Sequence, residues 1–133
     1  METICVDAAC SGNPGMMEYR GVYIPSGKQA FHFGPTWGTN NIGEFLAIVH
    51  ALALLEKEGK TMTIYSDSNT ALTWVRKRHC KTTLEHNDKT KILYDIIGRA
   101  ERWLREHLDQ SKCKIEKWNT EEWGEIPADF GRK

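Results

Sequence analysis

Apolar and polar residues alternate through the first third of the chain, and then the period changes. "ETICVDA" has the β-branched, alternating character of a short strand, and Gly12, Asn13, Pro14 and Gly15 close it with turn chemistry. "YRGVYIP" and "QAFHFGP" alternate on either side of Ser26-Gly27, the pattern of a β-hairpin. From Glu44 to Glu58 the spacing turns helical: Phe45, Ile48, Val49, Leu52 and Leu55 share one side, and Gly59 supplies the stop. "KTMTIYSDS" returns to strand spacing, with Met62 and Ile64 alternating among β-branched neighbours. Ser68 or Asn69 is placed to cap a short helix ending near Arg78. "NDKTKILYDIIGRAERWLREHL" predicts a long amphipathic helix with Asn87 as its cap, and "CKIEKWN" a last strand.

The order β-β-β-α-β-α-α-β belongs to the α/β class. The opening hairpins imply antiparallel pairing, and a strand after each helical stretch implies parallel pairing by crossover. The expected architecture is a mixed five-stranded sheet with helices packed on it. Its first three strands are antiparallel, and its first, fourth and fifth are parallel. Nothing reads as a linker or repeat, and 133 residues suit one domain spanning 1–133.

Composition adds mainly exclusions. The formal net charge is zero, so a nucleic-acid or membrane partner has to be read by a local patch and not by a global field. Cys5, Cys10, Cys80 and Cys113 form no C-x-x-C pair and no close Cys/His cluster, which excludes metal-finger spacing. "METICVDAACSG" lacks the basic start and apolar run of a signal peptide, and no apolar run approaches a membrane span. A reduced, cytoplasmic, monomeric protein without a membrane partner is expected.

Three acids stand out by position. Asp7 and Asp67 each end a strand just before a turn or helix start, where open sheets with parallel strands gather functional groups. Glu44 borders the apolar stripe of its helix, with Ile48 and Leu55 within roughly 40° of it around the axis. Taken singly, an Asp before a helix is equally a cap, and a Glu in a first turn is equally a dipole-favoured residue. Jointly, three acids on one rim call for a cation, and magnesium or manganese suits an all-oxygen donor set.

These segments resemble the ribonuclease H family, in its ribonuclease HI branch. "VDAACSGNPG" resembles the family's first strand with its acid and G-N-P-G turn, and "TNNIGEFLAIVHAL" the segment that opens its first helix. "IYSDSNTAL" resembles its fourth strand, and "PADFGRK" its last acid, which follows a small residue at the start of a final helix. The matches run in order from Asp7 to Asp129 and cover essentially the whole chain. The resemblance implies the ribonuclease H-like fold and a catalytic, metal-binding set of Asp7, Glu44, Asp67 and Asp129. It implies two Mg2+ ions, with Mn2+ as a substitute and Asp7 as the bridge between them. The activity it implies is hydrolysis of the RNA strand of an RNA–DNA hybrid, giving 5′-phosphate and 3′-hydroxyl ends.

Substrate contacts are expected along the same segments. Cys10, Gly12 and Asn13 lie at the first turn, where glycine lets the backbone approach a ligand. Thr39, Asn40 and Asn41 precede the helix of Glu44, where free N–H groups favour phosphate. Asn69 is placed to reach a base edge or ribose. "TWVRKRHCKT" is the one basic cluster, and Trp74 with Arg76, Lys77, Arg78 and Lys81 suits a hybrid's backbone. Turn chemistry, capping and a solvated helix end are the alternative readings of these residues.

Two departures from the family pattern are visible. The usual loop His after the last strand is missing: no His follows His107, and "NTEEWGEIP", with Glu121 and Glu122, takes that place. The extra basic helix of the longer enzymes is reduced to "KTTLEHND". Support for Asp129 is expected from Trp123 and Pro127. The rival functions are an idle nucleic-acid-binding module on the same fold and a nuclease for another duplex.

Overall fold

Pleat alternation along the first strand decides which face of the sheet is covered by helices. In β1 (Thr3–Gly12), Ile4, Val6 and Ala8 join the main core, while Cys5 joins a second cluster with Val22, Ile126 and Ala128 on the opposite face. The computed structural model describes residues 2–131. β1 pairs antiparallel with β2 (Gly15–Ile24), which pairs antiparallel with β3 (Gln29–Gly38). β4 (Ile64–Ser66) lies parallel to β1, and β5 (Ile115–Lys117) parallel to β4, giving the order β3-β2-β1-β4-β5. This is the mixed five-stranded sheet expected from the sequence. The first hairpin runs past its apolar alternation, because backbone pairing continues to Gly12↔Gly15.

Helix α1 (Asn40–Glu58) packs on the main-core face. It starts one turn before the periodic run, where Thr39 Oγ1 accepts the Ile42 N–H at 3.2 Å. Gly59, at φ 66°, ends it as expected. Gly43 lets α1 approach the sheet: a Cβ there would stand 2.8 Å from the Ala8 Cβ and 2.9 Å from the Met17 sulfur. Helix α2 (Asn69–Lys77) is capped by Ser68 and ends at Arg78, in the left-handed region at φ 59°. Helix α3 (Lys91–His107) starts later than expected. Asn87 does not cap it; the Asn87 Oδ1 accepts the Lys89 N–H at 2.9 Å in a turn, and Thr90 is the residue before the helix. A 3-10 turn (Leu108–Gln110) follows, and a one-turn helix α4 (Thr120–Trp123), which lacks a long enough apolar period to be predicted, follows β5. Among the described residues no helix is long and apolar enough to cross a membrane.

Candidate metal centre and nucleic-acid groove

The acidic site forms where β1 outlasts its parallel neighbour. The Ile4 N–H donates to the Thr63 carbonyl at 3.0 Å, and the β1–β4 pairing stops at Val6↔Ser66. A further two-residue step would set the Ala8 N–H against the Asp67 carbonyl. Instead the Ala8 N–H donates to Glu44 Oε1 at 3.1 Å, and Lys117 Nζ donates to the Asp67 carbonyl at 2.6 Å. The strands part, and side chains fill the notch. Asp7 is fully buried, Glu44 is 2% exposed and Asp67 is half-buried. One carboxylate oxygen from each lies within 4.8 Å of the others. Like charges that close cost about 3 kcal/mol per pair at an effective dielectric constant of about 20. An all-carboxylate donor set of this size fits a hard divalent cation.

Asp129 stands outside that group of three. It lies in a non-helical tail, not at a helix start. Its N–H donates to the Ile126 carbonyl at 2.9 Å, and its Oδ2 accepts the Gly131 N–H at 2.9 Å. Ile126 and Ala128 bury themselves against Cys5 and Val22, on the sheet face that also carries Asp7 by pleat alternation. Burial pushes the Cys5 thiol up to about 11, so it packs beneath the tail as a neutral group. Trp123 anchors the preceding loop, edge-on to Trp118 at 5.0 Å and to Tyr65 at 5.8 Å, while Trp118 Nε1 donates to the Gly124 carbonyl at 2.9 Å. Pro127 is exposed and supplies no such anchor. The direct support comes from Arg20, whose Nε donates to the Ala128 carbonyl at 2.8 Å and whose Nη2 donates to the Asp129 carbonyl at 2.6 Å. Neither Arg20 nor Lys117 stands out in the sequence. The one sequence signal is that each is the single cation of its strand, Arg20 in β2 and Lys117 in β5; that Arg20 lies directly opposite Asp7 emerges only from the β1–β2 register.

Among the described residues no histidine joins the group of three acids. His50 stacks on Phe31 at 4.0 Å and bonds the Tyr19 hydroxyl, and burial lowers its pKa. His79 pairs with Glu101 and His32 with Glu18. Glu121 and Glu122 are exposed on α4.

A groove of about 840 Å³ opens at the start of α1, one turn before Glu44. Of the expected contact residues, Asn13, Thr39, Asn41, Trp74 and Lys81 line it. Asn13 Oδ1 accepts the Asn40 N–H at 3.0 Å, tying the first turn to the helix start. The far wall is the loop of residues 82–90, and Lys89 Nζ sits 4.7 Å over the Trp37 ring. Trp37 and Lys89 escaped sequence reading because their pairing is long-range. Cys10, Gly12, Asn40, Asn69, Arg76, Lys77 and Arg78 are not among the lining residues. Cys10 Sγ lies 3.6 Å from the Gly38 carbonyl, and Asn69, Arg76 and Lys77 are exposed on α2. The Arg78 guanidinium pairs with Asp109, beyond the end of α3, while its backbone takes the left-handed conformation that ends α2.

The RNase H family model matches residues 1–120, which include Asp7, Glu44 and Asp67 and stop before Asp129. The chain is 39% identical over 114 residues to a ribonuclease H of Chromobacterium violaceum, covering 80% of this chain and 75% of that protein. It is 39% identical over 67 residues to a ribonuclease H of Neorickettsia sennetsu, a stretch of 49% of this chain and less than half (44%) of that relative's length. In fold it is similar to LC11-RNase H1, isolated from compost by a metagenomic approach and solved in complex with an RNA/DNA hybrid. That match has a TM-score of 0.55 and 16% identity, covering 92% of this chain and 88% of the other.

Proposed function

The chain belongs to the ribonuclease H family, and from that membership we propose that it is an endoribonuclease acting on the RNA strand of RNA–DNA hybrids. The observation that carries the reading is the notch of Asp7, Glu44 and Asp67, with oxygens within 4.8 Å of one another, near the groove at the start of α1. We place two divalent ions there, Mg2+ or Mn2+, held by these three acids with Asp129 as the fourth. When bound, they supply charge to activate an attacking water and to stabilise the departing 3′ oxygen.

The chain's own residues prepare that chemistry. Burial of Asp7 and Glu44 keeps bulk water from competing for their oxygens, and the Ala8 N–H fixes the Glu44 carboxylate in place. Asn13, Thr39 and Asn41 offer polar contacts to one strand at the mouth of the groove. Trp37 and Trp74 offer apolar faces for the other strand, whose sugars lack the 2′-hydroxyl. Hydrolysis by water forms the new P–O bond at phosphorus and breaks the bond to O3′, leaving 5′-phosphate and 3′-hydroxyl ends. We read the protein as a single domain, 1–133, acting as a monomer in the cytoplasm, in keeping with its four free cysteines.

The test is cleavage of a hybrid with labelled RNA, with duplex RNA and duplex DNA alongside. Wild type with magnesium is expected to cut only the hybrid's RNA. Asp67→Asn is expected to lose more than the roughly 10–100-fold that removal of a mere outer-shell partner costs a metal site. An RNA strand left intact with either metal, with Asp67→Asn indistinguishable from wild type, would falsify the reading.

A further inference from the structure

Arg20 sits in the middle of a cross-strand row. Asp7 is its partner on β1 and His32 its partner on β3, so the three share one face of the sheet. The tail crosses this face. Ile126 (1% exposed) and Ala128 (0%) bury there, but such apolar contacts leave the rotation of the peptide units between them unspecified.

The guanidinium supplies what they lack. The Ala128 carbonyl belongs to the peptide unit before the Asp129 Cα, and the Asp129 carbonyl to the unit after it. Arg20 donates to both, from Nε at 2.8 Å and from Nη2 at 2.6 Å. With both flanking planes held by one rigid fork, the direction of the Asp129 Cα–Cβ bond is set. The Gly131 N–H on Oδ2 then restricts the side-chain torsions. The Phe130 ring closes over the guanidinium, 4.8 Å from its carbon, and meets the His32 ring edge-on at 6.3 Å, which shields the fork from water. A helix would orient an acid through its backbone ladder; here one side chain orients it.

We infer that Arg20 is the positioning residue for Asp129, holding the tail so that the fourth acid faces the site from the Asp7 side of the sheet. The inference rests on the reading of Asp129 as a site residue, and it adds the device that makes a non-helical tail serve.

The experiment compares Arg20→Met, Arg20→Lys, Asp129→Asn and the Arg20→Met/Asp129→Asn double variant. It reads hybrid cleavage together with hydrogen exchange at the Asp129 and Gly131 amides. Arg20→Met is expected to accelerate exchange at those two amides while leaving β1 and β2 protected, which separates release of the tail from unfolding. It should lose activity roughly ten- to hundredfold, the scale of one to two charge-assisted hydrogen bonds. The double variant should be no worse than Asp129→Asn alone, since both changes disable the same acid. Arg20→Lys keeps the charge without the planar fork and should recover only part of the loss. Full activity in Arg20→Met beside a disabled Asp129→Asn overturns the inference, as does an additive double variant. Full activity in Asp129→Asn instead overturns the role of Asp129, while faster tail exchange in Arg20→Met would still establish the tether.

Discussion

Glu44 shows how much one carboxylate can be asked to do. It is 2% exposed, it accepts the Ala8 N–H in place of a missing strand partner, and it shares the notch with Asp7 and Asp67. The first role is structural and needs only an oxygen acceptor. The second needs charge, and it costs stability whenever no cation is present. Glu44→Gln separates them, because the amide oxygen can still accept from Ala8. Without metal, the variant is expected to melt higher than wild type, by about 3 °C for each 1 kcal/mol of repulsion relieved. Added magnesium should then stabilise wild type and leave the variant unchanged. Thermal melts with and without metal check this, and a variant that melts lower without metal would show the repulsion to be negligible. The position of Glu44 was legible from helical period alone, because the angle between Glu44 and Ile48 is local information. The role of Arg20 was not, because its bonds to Ala128 and Asp129 cross more than a hundred residues and leave no periodic trace.

At the scale of elements, the notch exists because β4 is short and α1 is close. Three residues of β4 pair with β1, so the ladder ends just where the acids begin. Helix α1 reaches the gap because Gly43, next to Glu44, has no side chain to hold it off the sheet. Gly43→Ala therefore sets two effects against each other. Alanine gains about 1 kcal/mol of helix propensity, but its methyl would sit 2.8 Å from the Ala8 Cβ and 2.9 Å from the Met17 sulfur. Overpacking of that kind costs typically 1–3 kcal/mol, so the expected balance is destabilisation of about 1 kcal/mol. Activity should fall further than stability alone accounts for, because the first turns of α1 must move away together with Glu44. Urea unfolding and hybrid cleavage on the same preparation test the pair; unchanged values for both would mean that the sheet simply yields. Element types were legible in the sequence, since each of the main strands and helices has a clear period or a cap. The late start of α3 was not. Asn87 and Thr90 are both competent caps by residue type, and what separates them is the folded loop: Asn87 Oδ1 is taken by the Lys89 N–H, while Thr90 is fully buried with its hydroxyl bonded to the Glu85 carbonyl.

For the whole molecule, charge balance makes local placement decisive. A net charge of zero gives no long-range pull toward a polyanion, so the affinity expected for the proposed hybrid substrate depends on the cations that actually face it. The sequence offers Arg76, Lys77, Arg78 and Lys81 as one cluster, but the fold divides them. Arg78 is committed to Asp109, Lys81 lines the groove beside Trp74, and Arg76 and Lys77 remain exposed on the last turn of α2. Three cations of that cluster then remain for phosphate, and neutralising about three phosphates gives a log–log salt slope between about −2 and −3. The measurement is hybrid affinity by fluorescence anisotropy over a series of salt concentrations, using Asp67→Asn so that the RNA survives. In that background Lys81→Ala should flatten the slope by about one unit, whereas Arg78→Ala should leave it unchanged and lower only stability, through loss of the Asp109 pair. A slope that responds equally to both substitutions would mean that Arg78 leaves Asp109 when the hybrid binds. The pairing would then be a resting position, and the basic face of the molecule would be assembled by its substrate.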